Sequence, residues 1–141
     1  MAKKVFLVAC VAGKRPDPVP AAELYTSTWF TKARSLIEAT GAPWFILSAE
    51  HGLISPETVI GPYDRTLNKM GAAERRAWSE MVRGQMAAQL PKAEEIVIFA
   101  GKRYREHLMP WLRENFARVA VPMEGLSIGR QLSWMTHAPA L

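Results

Sequence analysis

Val5-Phe6-Leu7-Val8-Ala9 is the first of four short apolar runs in this chain, and these runs decide the expected fold. The other three occupy residues 44–47, 96–100 and 119–121. Runs of this length predict buried strands, and the segments between them have the spacing of helices. Strands that alternate with helices form mainly parallel sheets with right-handed crossovers. Polar residues or glycine follow each run within a few positions, at the edge of such a sheet where ligands bind.

The segments between the runs contain the predicted helices. Residues 23–40 are apolar at helical intervals, and Ser27 or Thr28 can cap the start of this helix. Gly41 follows it and is a typical stop signal. Residues 72–90 show the same helical spacing. We therefore expect one helix between the first two strands and a second helix before the third.

Proline and glycine divide the rest of the chain. Residues 102–116 have helical spacing, but Pro110 removes a hydrogen bond from a continuous helix. We expect a short helix to about Met109 and a second turn that begins at Pro110. Ser127 is a suitable cap for the last helix. Residues 48–70 have an irregular pattern with several glycines and prolines, which predicts a long lid or binding loop.

These patterns predict an α/β fold with a single domain over residues 1–141. The expected architecture has three layers, a mainly parallel sheet of about four strands with helices on both faces. The chain has 141 residues, which is long enough to bury a core without disulfides or metals. Hydrophobic residues make up 49% and charged residues 22%, which is typical of globular proteins and argues against disorder. Every apolar run is shorter than the roughly 20 residues of a membrane span, so no membrane partner is expected.

The charge balance favours an anionic partner. Lysine and arginine exceed the acidic residues and give a formal net charge of +5. This excess fits nucleic acid, a nucleobase or nucleotide ligand, or another phosphorylated molecule. The single cysteine cannot form an internal disulfide, and the polar Gly13-Lys14-Arg15-Pro16 stands where a secretory signal would need a longer apolar region. We expect a cytoplasmic protein.

A thiol and an amine follow the first run. Cys10 and Lys14 stand four residues apart, where both side chains can face one ligand. Neighbouring cations favour the thiolate of Cys10, and a small buried hydrophobe is the alternative. Lys14 lies in a loop rich in glycine and proline, where it can bind an anion, attack an electrophilic carbon, or lie solvated at the surface.

A hydroxyl, a carboxylate and an imidazole follow the second run. Ser48, Glu50 and His51 precede Gly52, which lets a ligand approach the backbone closely. Imidazole is the side chain best suited to proton transfer near neutral pH, so His51 is a candidate general acid or base. A structural histidine is the alternative. We assign Ser48 to substrate binding.

Two further loops contribute hydroxyls and a carboxylate. Tyr25 and Ser27 open the first helix, where backbone amides bind anions and hydroxyls orient a ligand, and simple capping is the alternative. Tyr63 and Asp64 follow a Gly-Pro turn that presents both side chains. Asp64 can orient His51 or bind the edge of a base, and an ordinary turn aspartate is the alternative.

Glycines, cations and an acid follow the third and fourth runs. Gly101, Lys102 and Tyr104 combine helix amides, a cation and a ring, which suits a phosphate or a stacked base. A solvated helix face is the alternative. Glu124 and Gly125 enter the last helix, but this segment matches neither the dinucleotide motif nor the nucleoside-triphosphate loop. We predict no cofactor, and the scattered histidines with one cysteine predict no metal site.

Five segments spread over nearly the whole chain carry a family resemblance. They are Leu7-Val8-Ala9-Cys10 with Lys14, Ala22-Glu23-Leu24-Tyr25-Thr26-Ser27, Leu47-Ser48-Ala49-Glu50-His51-Gly52-Leu53-Ile54, Pro62-Tyr63-Asp64 and Pro122-Met123-Glu124-Gly125-Leu126. Together they resemble a bacterial and phage family of small domains of unknown function.

Two stretches carry a second resemblance. They are residues 47–56 with Pro62-Tyr63, and Phe99-Ala100-Gly101-Lys102-Arg103-Tyr104. These stretches look like the YaaA family of DNA-binding peroxide-stress proteins, although this chain is much shorter and lacks that family's other regions. The resemblance implies a non-enzymatic, DNA-binding stress-response protein.

A more distant resemblance starts from Cys10 and Lys14. With Tyr25 and Ser27 further along the chain, they are similar to the signature of the core domain of archaeosine synthase. That enzyme adds an amine to the nitrile of a 7-deazaguanine base in transfer RNA. Here the tyrosine and serine are two apart rather than three, and Phe30 stands nearest the place of the signature's histidine. The resemblance implies a pocket for a modified base.

We therefore expect a nucleobase- or nucleotide-handling enzyme of DNA or transfer RNA modification or repair. A nucleobase-modifying transferase or a glycosylase-like enzyme would fit, with Lys14, His51 and Asp64 as catalytic residues. One alternative is a non-enzymatic DNA-binding protein of the YaaA type. Another is a small-molecule nucleotide hydrolase or transferase. The expected substrate-binding residues are Cys10, Tyr25, Ser27, Ser48, Tyr63, Gly101, Tyr104, Glu124 and Gly125.

Overall fold

The computed structural model describes residues 2–9, 13–138 and 140–141, in which strands alternate with helices. The strands are β1 (Ala2–Ala9), β2 (Val19–Pro20), β3 (Trp44–Ser48), β4 (Gly52–Ile54), β5 (Val59–Ile60), β6 (Ala93–Phe99) and β7 (Arg118–Ala120). The helices are α1 (Ala21–Leu24), α2 (Thr28–Glu38), α3 (Ala72–Gln89), α4 (Lys102–Arg105), α5 (Met109–Asn115) and α6 (Ile128–His137), with a 3-10 turn at Leu67–Lys69. The predicted α/β class is confirmed.

The central sheet is mainly parallel. Its strand order is β4-β3-β1-β6-β7. β1 pairs in parallel with β3 on one side, where Phe6 lies opposite Trp44, and in parallel with β6 on the other. β7 continues the parallel pairing beyond β6, whereas β4 runs antiparallel to β3. The carboxyl ends of β3, β1, β6 and β7 therefore share one edge of the sheet.

The prediction of about four strands is wrong, because the described residues place five strands in this sheet. The additional strand is β4, which turns back directly after β3 and is only three residues long. Such a short run inside a segment rich in glycine and proline carries too little period-two pattern to be recognised. β2 and β5 form a separate antiparallel pair, so residues 48–70 are less irregular than predicted.

Side chains of β1 alternate between two hydrophobic clusters. Val5 and Leu7 pack in one cluster with Trp78 of α3, while Phe6 and Val8 pack in the other with residues of α2 and α6. These four β1 side chains have no exposed surface. Complete burial of an aliphatic or aromatic side chain contributes about 1.5–3 kcal/mol to stability. The arrangement in three layers stays a prediction.

The predicted helix over residues 23–40 is interrupted. α1 ends at Leu24, Tyr25 adopts an extended conformation, and α2 starts after Ser27. Tyr25 pairs instead with Lys14 through an antiparallel backbone bridge. This contact with a distant part of the chain outweighs the local helical pattern. Ser27 caps α2 as predicted, since its Oγ accepts a hydrogen bond from the amide of Phe30 at 3.1 Å.

Pro110 and Ser127 lie at the starts of the last two helices, close to where the sequence predicted. The break in the predicted helix 102–116 falls at residues 106–108, and Pro110 lies in the first turn of α5, where its missing N–H is tolerated. Ser127 caps α6 by accepting from the amide of Arg130 at 3.3 Å. Among the described residues, no helix combines the length and the hydropathy needed to cross a bilayer.

Candidate functional site

A short backbone pairing brings the loop after β1 against the segment between α1 and α2. The amide of Arg15 donates to the carbonyl of Leu24 at 2.9 Å, and the amide of Thr26 donates to the carbonyl of Gly13 at 2.9 Å. Gly13 has a φ of +67°, and a Cβ built there would lie 2.7 Å from Thr26 Oγ1. Only glycine fits both conditions, so the sequence at this position helps to place Lys14 beside Tyr25.

Lys14, Tyr25, Tyr63 and His51 form what we call the cation–aromatic cluster. The Nζ of Lys14 lies 4.4 Å from the ring centroid of Tyr63 and 5.9 Å from that of Tyr25. The two tyrosine hydroxyls form a hydrogen bond of 2.7 Å. The His51 ring stands edge-on to Tyr63, with 5.8 Å between centroids. The cluster joins an ammonium, two phenols and an imidazole from four separate segments.

This arrangement supports proton transfer and anion binding. Attraction to the negative ring face holds the Lys14 ammonium in place. Because one tyrosine hydroxyl donates to the other, the donors of the pair are ordered before a ligand arrives. His51 is exposed, so a substrate has access to its imidazole. The cluster therefore combines a fixed cation with an accessible acid or base.

Two buried side chains stabilise the turn that carries His51. Ser48 is fully buried, and its Oγ accepts hydrogen bonds from the amides of Glu50 at 3.2 Å and His51 at 3.0 Å. The indole N–H of Trp78 donates to the carbonyl of Ser48 at 3.0 Å. The observed contacts of Ser48 thus stabilise the turn, and its assignment to substrate binding stays a prediction.

Gln85 of α3 fixes the other side of the same turn. Its Oε1 accepts from the amide of Leu53 at 2.8 Å, and its Nε2 donates to the carbonyl of His51 at 3.1 Å. Gly52 has a φ of +73°, and a Cβ there would overlap Gln85 Oε1. Sequence reasoning missed Gln85, although its i+7 spacing from Trp78 places both on one face of α3.

A cleft opens where β6 and β7 end. Its volume is about 500 Å³, within the usual range of small-molecule sites. The residues that line it include Trp29, Gly101, Lys102, Arg105, Glu124, Gly125 and Gln131. The indole N–H of Trp29 donates to Gln131 Oε1 at 2.8 Å, and Gln131 Nε2 donates to the carbonyl of Leu126 at 2.8 Å. These bonds fix the indole of Trp29 at the cleft wall.

Charged groups line the same cleft. Arg105 Nε donates to the carbonyl of Ala100 at 3.3 Å, and its Nη2 lies 3.4 Å from Glu124 Oε2. The Arg105 side chain is 13% exposed, whereas that of Glu124 is 64% exposed. Lys102 adds a second cation to the wall. Sequence reasoning included Glu124 and named Arg105 as a possible phosphate contact in its DNA-binding alternative, but it assigned no role to Trp29 or Gln131.

Two predicted site residues, Tyr104 and Asp64, belong to neither of these two features. Tyr104 is buried with its ring against Trp78, and its hydroxyl lies 3.3 Å from Thr66 Oγ1. Asp64 is exposed, and in the described part of the chain it forms neither an ion pair nor a hydrogen bond. Cys10 lies outside the described residues.

Seven of the remaining predicted residues fall into two groups. Lys14, Tyr25, Tyr63 and His51 meet in the cation–aromatic cluster, whereas Gly101, Glu124 and Gly125 line the cleft. Ser27 caps α2 between Tyr25 and Trp29. Lys14 and His51 follow β1 and β3, and the cleft residues Gly101, Glu124 and Gly125 follow β6 and β7, so these residues belong to one edge of the sheet. Tyr25 follows α1 and Tyr63 follows β5. Over residues 2–9, 13–138 and 140–141, no group of three or more histidine, cysteine or acidic side chains could hold a metal ion.

Comparison with known proteins places this architecture in a family. A model described as "Family of unknown function (DUF6884)" matches residues 5–137. A relative in Bacillus subtilis (strain 168), "Uncharacterized protein YfjM", is 30% identical over 120 residues, which cover 80% of this chain and 79% of the relative. No solved structure matches. The resemblances to the YaaA and archaeosine synthase families stay predictions.

Proposed function

This chain belongs to the DUF6884 family of unknown function, and we propose that it is an enzyme that handles a nucleobase or nucleotide in the modification or repair of DNA or transfer RNA. The observation that carries the proposal is the cation–aromatic cluster, in which Lys14 lies over Tyr63 beside an accessible His51. The cleft after β6 and β7 opens at the same edge of the sheet. The reacting groups come from the cluster, and the ligand binds in the cleft.

The cleft is suited to a flat, polar ligand. Trp29 presents an indole to it, and an aromatic face is a general platform for stacking a base. The hydrogen bond from Trp29 to Gln131 orders this platform before binding. The backbone at Gly101 and Gly125 supplies polar groups around the ring. Such a mixture of an aromatic wall with a few polar groups is typical of small-molecule sites.

Lys14 and His51 perform the chemistry in this proposal. Lys14 holds an anionic group of the substrate. Alternatively, once His51 has accepted the ammonium proton, its amine adds to an electrophilic carbon while the π electrons of that carbon move onto the attached oxygen or nitrogen. The Tyr25–Tyr63 hydroxyl pair donates to the substrate oxygen or nitrogen on which charge develops. Asp64 is exposed on the segment that carries Tyr63, and it binds the edge of the base or orients His51.

Exposed cations at the same edge favour one other function. Arg15, Lys102, Arg103 and Arg130 follow the ends of β1, β6 and β7, and within residues 13–138 none of them has an ion pair. Such a rim suits the phosphates of a nucleic acid. The second candidate is therefore a DNA-binding protein without enzymatic activity, as the YaaA resemblance implies.

The test is a search for altered nucleosides. The protein is incubated with total transfer RNA and with genomic DNA, the polymers are digested to nucleosides, and the products are compared by mass spectrometry. We expect a change with the wild-type protein that is lost in Lys14→Met and in His51→Gln, while their melting temperatures stay close to that of the wild type. Lys92→Met and His137→Gln are matched controls, since both residues are exposed and neither belongs to the cluster.

Two outcomes would contradict the proposal. If Lys14→Met and His51→Gln both lose much of the folding stability, these side chains are structural. If no nucleoside changes, yet the protein binds bare duplex DNA with an affinity that falls steeply with salt, the second candidate is correct.

A further inference from the structure

Arg105 is a confined cation at the wall of the cleft. Its side chain is 13% exposed, and its Nε is tied to the carbonyl of Ala100 at 3.3 Å. A guanidinium has five N–H donors, so the bond to Ala100 leaves most of them for other partners. Leaving a partly buried cation without an anion costs more free energy than leaving a surface cation unpaired. The cleft therefore contains a preformed binding position for an anionic group.

The anion that now occupies this position is weakly held. Glu124 reaches Arg105 Nη2 at 3.4 Å, longer than a good charge-assisted hydrogen bond. Its side chain is 64% exposed, and it lies on a turn beside Gly125, which has a φ of +81°. Ion pairs with such an exposed partner contribute about 0–1 kcal/mol. A stronger anion can displace this carboxylate at little cost.

We propose that Arg105 and Lys102 bind a phosphate group of the ligand, and that the Glu124 carboxylate occupies this phosphate site when no ligand is present. The proposal rests on the proposed function and names the charged group of its substrate. A phosphate offers several oxygens to a planar guanidinium and can form two parallel hydrogen bonds with it. Lys102 lines the same cleft, so two cations face the incoming anion. Trp29 then receives the base, and a nucleotide spans the cleft.

The experiment compares nucleosides with nucleotides by isothermal titration calorimetry. The probes are the four ribonucleosides, their 5′-monophosphates, and dinucleoside monophosphates without terminal phosphate. We expect phosphate to raise the affinity for the matching base about tenfold or more. A gain for the 5′-monophosphate identifies a free nucleotide as the source of the phosphate, and a gain for the dinucleoside monophosphate identifies a polynucleotide backbone. Either gain supports the phosphate site.

Three variants test the residues. Arg105→Met should reduce the affinity for the phosphorylated probe to that for the nucleoside. Glu124→Gln should raise the affinity for the phosphorylated probe about twofold to fivefold, because the competing carboxylate is gone. Glu94→Gln is the matched control and should change nothing, since Glu94 is a similarly exposed carboxylate that pairs with Arg118 at 3.6 Å near the start of β6, at the opposite edge of the sheet.

The outcomes separate this inference from the proposed function. Equal affinities for nucleosides and phosphorylated probes would overturn the phosphate site but leave the proposed function intact. Absence of binding by every probe would overturn both. If Arg105→Met fails to fold, Glu124→Gln decides the result, and an unchanged affinity in that variant would overturn the exchange of carboxylate for phosphate.

Discussion

Single residues determine where His51 is presented. Gly52 has a φ of +73°, and a methyl group there would overlap the Gln85 side chain that holds the turn. We expect Gly52→Ala to lower the free energy of unfolding by about 2 kcal/mol, because a left-handed backbone and a displaced side chain both disfavour alanine. Urea unfolding measures the loss. The same variant should also weaken the proposed reaction, since His51 would shift.

Gly84→Ala is the matched control for this prediction. Gly84 lies inside α3, where an added Cβ meets nothing within 4 Å. Alanine in a helix interior is favoured over glycine by about 1 kcal/mol, so this variant should be more stable than the wild type. Equal effects of the two substitutions would contradict the assigned role of Gly52.

At the scale of single residues, the sequence indicated several site residues but not their contacts. Lys14 and His51 were predicted because each follows an apolar run, which is a local property. The contact between Tyr25 and Tyr63 joins residues 38 positions apart. It depends on the backbone pairing of Lys14 with Tyr25, for which the chain has no local signal. Gln85 was missed for the same reason, because its partners lie on another element.

Among the elements, α2 tests whether Ser27 is a cap or a ligand-binding residue. Its hydroxyl accepts from the amide of Phe30, so Ser27→Ala should lower the free energy of unfolding by about 1 kcal/mol. Asparagine is an equally good cap, and Ser27→Asn should keep the stability. Urea unfolding of both variants measures these effects. If only capping matters, Ser27→Asn will also bind nucleotides like the wild type, whereas a loss of binding would show that the hydroxyl contacts the ligand.

The link between α3 and the end of α4 gives a pH-dependent prediction. Arg75 Nε donates to Glu106 Oε1 at 3.0 Å, and this hydrogen bond lowers the pKa of Glu106 from its usual 4.5. A lowered pKa in the folded state stabilises the protein above the pKa of the unfolded chain, and this contribution disappears as the carboxylate is protonated. We expect the stability difference between the wild type and Glu106→Gln to shrink as the pH falls below about 4.5.

Thermal unfolding over a series of pH values measures this difference. Glu80→Gln is a suitable control, since Glu80 is an exposed residue of α3 without an ion pair in the described segments. Its effect on stability should depend less on pH. A constant difference between the wild type and Glu106→Gln across the acidic range would contradict the role of Arg75.

The element scale shows where sequence patterns are reliable. The long helix α3 and the buried strands β1, β3 and β6 were predicted closely, because each has many residues with one clear period. β4 was missed because it has three residues, and the break between α1 and α2 was missed because pairing with Lys14 outweighs helix propensity. Short elements depend on their neighbours, so their own residues do not specify them.

For the whole molecule, the order of strands is what joins the two halves of the proposed site. The strand order β3-β1-β6-β7 places the strands that precede His51 and Lys14 beside the strands that precede the cleft. The alternation of apolar runs with helical segments predicted this edge without any knowledge of individual contacts. The aromatic wall of the cleft could not be predicted, because Trp29 comes from α2, on a different crossover from the loops after β6 and β7.

The most direct test of this shared edge is a nuclear magnetic resonance titration. The 15N-labelled protein is titrated with the 5′-monophosphate that binds most tightly in calorimetry, and glycine amides serve as reporters. We expect Gly13 and Gly52 near the cluster, and Gly101 and Gly125 at the cleft, to shift with one common dissociation constant while Gly84 stays unchanged. Shifts confined to one pair, or different dissociation constants for the two pairs, would contradict a single site.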